Sequence, residues 1–395
     1  MISDRMKGLV SNNSVIRAMF EEGKIMAKKY GPENVFDFSI GNPNVAAPKE
    51  VKQAIVDIIN EEDSLVVHGY MSNTGYEGVR ATIANSLNKR FDTSFTENNI
   101  IMTVGAAGAI NVIFRAILNP GDEVLTFTPY FVDYKNYVTN YDGVLVEIEP
   151  DTATFLPNLI DLEKKITNKT KAIIINSPNN PTGVVYSENT IKKIAEILER
   201  KEKEFGTSIY IVSDEPYREL VYDGIEVPYL TKYYHNALIG YSYSKSLSLP
   251  GERIGYVVVP NEADDYEDLF TAIGIATRIL GFVNAPSLMQ KVIARCIDCQ
   301  TDISFYNRNR ETLYNGLKEI GFECIKPEGA FYLFVKTPIA DDIEFCNEAK
   351  KYNLLIVPGS SFACPGYVRI AYCVAYETIV NSLPKFKELG KKYFD

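Results

Sequence analysis

The stretch that decides the fold runs Lys171-Ala172-Ile173-Ile174-Ile175-Asn176-Ser177-Pro178-Asn179-Asn180-Pro181-Thr182-Gly183, with Ser187-Glu188-Asn189-Thr190 just beyond it. Lys171–Ile175 reads as a strand whose apolar residues run together, the pattern expected when both faces of a sheet are covered. Asn, Pro and Gly then break the chain into a turn. Ser187–Thr190 suits a helix N-cap, and Glu188–Glu204 carries helical spacing. The same alternation extends outward in both directions. Ile100–Val104, Glu123–Phe127, Val144–Ile148, Ile209–Ser213, Ala237–Tyr241 and Gly255–Val259 read as further strands. Ala107–Leu118, Phe131–Thr139 and Leu159–Thr167 read as the helices between them. Such alternation predicts an α/β domain with a mainly parallel sheet sandwiched by helices.

After about residue 290 the pattern changes to α+β. One long helix is predicted over Ala285–Lys318, then hairpin-like pieces at Gly329–Val335 and Tyr367–Ala375, with helices near Asp341–Lys351 and Thr378–Lys391. A helix over Val15–Lys29 and a strand over Val35–Ile40 are predicted to pack with this part. The expected division is therefore a large domain over 45–285 and a smaller one built from 1–44 and 286–395. A chain of 395 residues exceeds what one small core accommodates.

A formal net charge of −10 argues against nucleic acid, whose binding needs clustered cations. Lys and Arg are instead dispersed among acids, as in Lys192-Lys193 with Glu196, Glu199 and Arg200, which is how a solvated helix face looks. Met1–Val10 is charged and lacks the apolar core of a signal peptide, and no apolar run is long enough to span a membrane. The six cysteines include a CxxC pair, Cys296 and Cys299, but no second pair completes a zinc site. Buried or half-buried thiols on an amphipathic helix are the expectation, and a reducing, cytoplasmic compartment fits.

Several polar residues fall just past the carboxyl ends of the predicted strands, the edge where open α/β sheets bind ligands. Asp214-Glu215-Pro216-Tyr217 follows one strand and Asn176–Gly183 another. Ser242-Tyr243-Ser244-Lys245 follows a third, with Arg253 eight positions on. Gly105-Ala106-Ala107-Gly108 joins strand to helix and leaves backbone N–H groups free for an anion. Each signal alone has a plain structural explanation: a surface lysine, a turn, a close-packed junction. In combination they supply a phosphate cradle, a carboxylate, donors for a phenolate-like oxygen and an amine.

With these residues in place, the chain resembles the fold-type I pyridoxal-phosphate enzymes of the class I aminotransferase group, near the aspartate aminotransferases. The resemblance runs from Gly41 to Arg369. It is carried by Asn179-Asn180-Pro181-Thr182-Gly183, Asp214-Glu215-Pro216-Tyr217, Ser242-Tyr243-Ser244-Lys245 with Gly251-Glu252-Arg253-Ile254-Gly255, and Val357-Pro358-Gly359-Ser360-Ser361-Phe362 leading to Arg369. It implies that Lys245 holds pyridoxal 5'-phosphate as a Schiff base and moves the substrate proton. It implies that Asp214 bonds the ring nitrogen, and that Tyr217 and Asn180 donate to the ring oxygen. Gly105, Ala106, Ala107, Ser242, Ser244 and Arg253 would take the phosphate, and Phe131 would stack on the ring. Arg369, with Asn180 and the Gly41 backbone, would bind the substrate α-carboxylate. Tyr70 resembles a tyrosine that reaches a neighbouring subunit's phosphate, which implies a homodimer with shared sites.

Two positions depart from the family pattern. The arginine that reads a distal carboxylate from the partner subunit aligns near Leu280, with Arg278 two residues away, and the lysine of another branch is replaced by Ala107. Ala363 stands where a glycine is usual. The implied reaction is ping-pong transfer of an amino group between an L-amino acid and a 2-oxo acid, aspartate with 2-oxoglutarate being the leading pair. A β-lyase or other α,β-eliminating enzyme shares the same residues and is the alternative. A ligand sensor fused to a DNA-binding arm lacks such an arm before Gly41. A nicotinamide dehydrogenase lacks GxGxxG at Gly105. A hydrolase lacks a nucleophile elbow beside His68 or His235.

Overall fold

In the computed structural model, which describes residues 2–11 and 15–394, seven strands form one sheet. Their spatial order is Ile100–Thr103, Gly255–Val258, Ala237–Ser242, Tyr210–Glu215, Thr170–Asn176, Glu123–Phe127 and Val144–Ile148. Only Gly255–Val258 runs antiparallel to its neighbours, so the sheet is mainly parallel with helices on both faces.

Successive residues of each central strand enter different cores, as the unbroken apolar runs require. Ile173 and Ile175 join Ile211 and Ile239 on one face, whereas Ala172 and Ile174 join Val212 and Leu238 on the other. On that second face Ile110 and Ile113 of helix Gly105–Ile117 pack down onto the sheet. Burying each such isoleucine contributes roughly 1.5–3 kcal/mol. The helix Glu188–Phe205 starts where Ser187 Oγ accepts the Thr190 N–H at 3.2 Å and stops at Gly206, whose φ of 67° suits glycine.

The C-terminal part is α+β. Tyr367–Ala371 lies between Val357–Pro358 and Tyr332–Lys336 in an antiparallel sheet, flanked by helices Asp342–Lys350 and Tyr376–Phe394. The N-terminal strand is shorter than its apolar run suggests, Phe36–Asp37, and pairs in parallel with Leu354–Leu355. It ends there because Asp37 Oδ1 captures the Ser39 N–H and hydroxyl.

One expected element is wrong. The single helix over Ala285–Lys318 is two helices, Ser287–Arg295 and Ile303–Ile320. Cys296 and Cys299 lie in the break rather than on a helix face, joined by a turn from the Cys299 N–H to the Cys296 carbonyl. Asp302 restarts the helix by accepting the Ser304 N–H at 2.9 Å. Both cysteines are free thiols, Cys296 buried and Cys299 half-buried. No described helix is long and apolar enough to cross a membrane.

Candidate active site

The parallel register sets Asn176 beside Asp214, and Asp214 beside Gly240, at the carboxyl edge of three adjacent strands. Side chains alternate along a strand, so Asp214 and Glu215 serve opposite faces. Glu215 is neutralised by Arg218 at 2.8 Å, and Asp214 faces a cavity of about 370 Å³. Ala237–Ser242 runs directly into the one-turn helix Tyr243–Ser246, because Ser242 Oγ accepts the Ser244 N–H at 3.2 Å. That turn delivers Lys245 to the same cavity.

The Lys245 ammonium donates to the Gly41 carbonyl at 2.7 Å. Burial lowers its pKa to about 8; the nearby Arg253 and Arg369 add to the fall and Cys373 opposes it. Asp214 moves the other way. Burial pushes its carboxyl up to about 7, Glu215 adding to the rise while the Tyr134 hydroxyl, donating to Oδ2 at 2.5 Å, opposes it. Its other oxygen, Oδ1, is buried with no hydrogen-bond partner in the protein. A buried carboxylate oxygen left bare is costly unless a cationic donor meets it.

The opposite wall holds Arg369, 2% exposed, from the middle strand of the small sheet. Its guanidinium donates to Asn180 Oδ1 at 3.1 Å and the Ser39 carbonyl at 2.6 Å, between the Tyr332 and Phe362 rings at 4.5 and 4.8 Å. Its Nε has no partner. Asn180 is itself held by its N–H on Asn176 Oδ1 at 2.8 Å. The Tyr217 and Tyr332 hydroxyls lie 2.8 Å apart. Gly41 must be glycine here, since a Cβ would collide with the Tyr332 hydroxyl.

At the far end, helix Gly105–Ile117 opens with no side-chain cap, leaving its first N–H groups free. Ala106 and Ala107 line the cavity, and Gly105 has a φ of 82° where a Cβ would stand 2.9 Å from Arg253 Nη2. Arg253 donates to the Val104 carbonyl at 3.1 Å and to Ser244 Oγ at 3.5 Å, and the Ser242 hydroxyl donates to Ser244 Oγ at 2.9 Å. A helix N-terminus, two hydroxyls and a guanidinium suit an anion such as a phosphate. Phe131 lines the cavity wall.

Thus Gly41, Ala106, Ala107, Phe131, Asn180 and Asp214 all line one cavity, as do Tyr217, Ser242, Ser244, Lys245, Arg253 and Arg369. Tyr70 does not; it is 91% exposed. Arg278 is exposed and also outside the cavity, near the end of helix Tyr266–Ile279. Sequence reasoning missed Tyr134 and Tyr332, and gave Asn176, named only as part of the turn, no role of its own. Tyr134 lies one helical turn from Phe131, so the helical spacing already placed it on that face. Nothing in the alternation around Tyr332 marks it as a hydroxyl for the site.

A family model described as aminotransferase class I and II matches residues 33–382. The chain belongs to that family. This aminotransferase is 32% identical to a probable aspartate/prephenate aminotransferase of Aquifex aeolicus, over 90% of this chain and 91% of that one. Its fold is similar to that of an amino transferase of Eubacterium rectale, with a TM-score of 0.98, 49% identity and full coverage of both chains. The aspartate aminotransferase of Thermus thermophilus with maleate superposes with a TM-score of 0.88 at 26% identity, over 98% of this chain and 99% of that one. The protein is thus a fold-type I transaminase of a pyridoxal-phosphate-dependent family.

Proposed function

We propose that this aminotransferase binds pyridoxal 5'-phosphate in the cavity around Lys245 and moves an amino group between an L-amino acid and a 2-oxo acid in a ping-pong cycle. The observation that carries the reading is Asp214 Oδ1, a buried and partnerless carboxylate oxygen in the same cavity as the half-buried Lys245. A protonated ring nitrogen would satisfy that oxygen, the helix start with Ser242, Ser244 and Arg253 would take the phosphate, and Lys245 would hold the cofactor covalently. When bound, the cofactor supplies an electron sink for the pair released at the substrate Cα.

The chain's own groups do the rest. Arg369 grips the α-carboxylate in a fork that lysine does not reproduce, and Asn180 holds that fork in place. Tyr217 and Asn180 would donate to the ring oxygen, and Phe131 would cover the ring. A pKa near 8 leaves part of the Lys245 amine unprotonated at neutral pH, ready to take the Cα proton on Nζ.

Aspartate with 2-oxoglutarate is the proposed substrate pair, supported by the names of the relatives. Lys245, Arg253 and Arg369 are the only cations among the described residues lining the cavity, and each already has a task. A distal carboxylate therefore calls for a cation from a second copy, and Arg278, exposed on its own subunit, is the proposed source. The same homodimer would bring Tyr70 to the neighbouring phosphate; its 91% exposure and the 84% exposure of Leu65 leave apolar surface for a partner to cover. The pairing of Phe36–Asp37 with Leu354–Leu355 supports a small domain of 1–44 with 286–395 beside a large one of 45–285. The test is a panel of amino donors mixed with the cofactor-loaded enzyme while its visible band is followed. Conversion by aspartate and glutamate supports the pair, and conversion by neutral or aromatic donors alone refutes it.

A further inference from the structure

The edge of the large sheet opposite Lys245 carries a second group of polar side chains. Glu202 near the end of helix Glu188–Phe205, His235 before strand Ala237–Ser242, and Asp264 after strand Gly255–Val258 come together there from three separate elements. One ligand atom from each lies within 4.8 Å of the others. His235 Nε2 is 4.0 Å from Glu202 Oε2 and 3.8 Å from Asp264 Oδ2. Two donors about 2.1 Å from a common ion are at most about 4.2 Å apart, so small side-chain rotations bring the set into range.

The carboxylates are held from behind. Glu202 Oε1 accepts the Ile209 N–H at 2.8 Å, and Asp264 Oδ2 accepts the Ser208 hydroxyl at 2.6 Å. Asn236, fully buried, donates to Asp264 Oδ2 at 2.9 Å and Glu202 Oε1 at 3.2 Å, and accepts the Asp264 N–H at 2.8 Å. Supporting bonds of this kind orient ligands around an ion. Glu202 Oε2 and Asp264 Oδ2 are the carboxylate oxygens that face the imidazole. Among the described residues, no lysine or arginine pairs with either carboxylate. The Thr207 hydroxyl lines the same surface pocket and is buried without a partner.

We propose that Glu202, His235 and Asp264 form a binding site for a divalent transition cation of the zinc or cobalt class. An imidazole with two carboxylates favours such an ion over calcium or magnesium, which take oxygen alone. The ion clips the end of a helix to the loops that begin and end neighbouring strands, so its role is structural. The four residues Tyr210–Ser213 separate this edge from Asp214, roughly 13 Å at a strand's rise. Filling the site therefore leaves basal transamination unchanged.

The test is titration of the cofactor-loaded enzyme with Co²⁺, followed by its visible d–d absorption, and with Zn²⁺, followed by thermal unfolding. One ion per chain and a higher unfolding temperature are expected. His235→Ala and Glu202→Gln should each weaken binding by more than about tenfold while the cofactor band stays unchanged. A Cys296→Ser/Cys299→Ser variant should bind as the parent does. No binding at about 1 mM metal, or binding that survives His235→Ala and Glu202→Gln but is lost without the cysteines, overturns the assignment.

Discussion

Replacing Asp214 with asparagine should stabilise the cofactor-free protein at neutral pH while disabling the enzyme. The carboxyl is 6% exposed and its pKa is raised by burial from 3.8 to about 7. A raised pKa means the folded state binds the proton more tightly. The associated stabilisation is fully present below pH 3.8 and is lost as pH rises through about 7. At 1.36 kcal/mol per unit, the ionised group costs the folded state about 4 kcal/mol above that range. Asparagine carries no charge and keeps an oxygen for the Tyr134 hydroxyl. Its amide donor then takes the position where Oδ1 has no partner, at a cost of about 1–3 kcal/mol. The net gain is about 1–3 kcal/mol near pH 8 and disappears below about pH 5. Urea midpoints of the two cofactor-free proteins across that range measure it. In the loaded enzyme the variant removes the charge proposed to face the ring nitrogen. Truncating a buried charge pair costs about 2–5 kcal/mol, so transamination should fall about 30-fold to several thousand-fold. A stability difference that stays flat with pH, or activity within about threefold of the parent, refutes the reasoning.

Three further outcomes follow from the same geometry. Loading of the cofactor-free protein with pyridoxal phosphate should accelerate with pH to a half-maximum near 8, where the Lys245 amine loses its proton; a half-maximum above about 10, the range of free lysine, contradicts the buried environment. Arg369→Lys loses the fork and should lower kcat/KM about 30-fold or more in the donor half-reaction, leaving the cofactor band intact; a change under about threefold contradicts its carboxylate role. Ala363 has a φ of 57°, a left-handed conformation costing about 1–2 kcal/mol for alanine. Ala363→Gly should therefore raise the urea midpoint by the equivalent of about 0.5–1 kcal/mol after glycine's entropy is counted, and an unchanged or lower midpoint speaks against strain there.

The large sheet was legible because its central strands are buried on both faces. Unbroken apolar runs such as Ile173–Ile175 then mark strands directly, and short turns fix their limits. Asp214, Asn180 and Lys245 were legible because each follows such a run at the edge where ligands bind. The break at 296–302 was not legible. Apolar spacing continues across Cys296 and Ile297, and what divides the helix is tertiary: the Thr301 N–H bonds the Ser246 carbonyl beside Lys245. Tyr332 was hidden for a related reason. It lies in a strand of aromatic neighbours, and only the fold brings its hydroxyl to Tyr217 across more than a hundred residues of chain. Tyr70 and Arg278 were read from resemblance, and the roles proposed for both depend on a second copy.

The most direct measurement is borohydride reduction of the protein after incubation with pyridoxal phosphate, followed by peptide mapping. The account predicts one cofactor per chain, fixed to Lys245, with no visible cofactor band in Lys245→Ala. Cofactor fixed to another lysine, or a protein that never acquires the band, would contradict it.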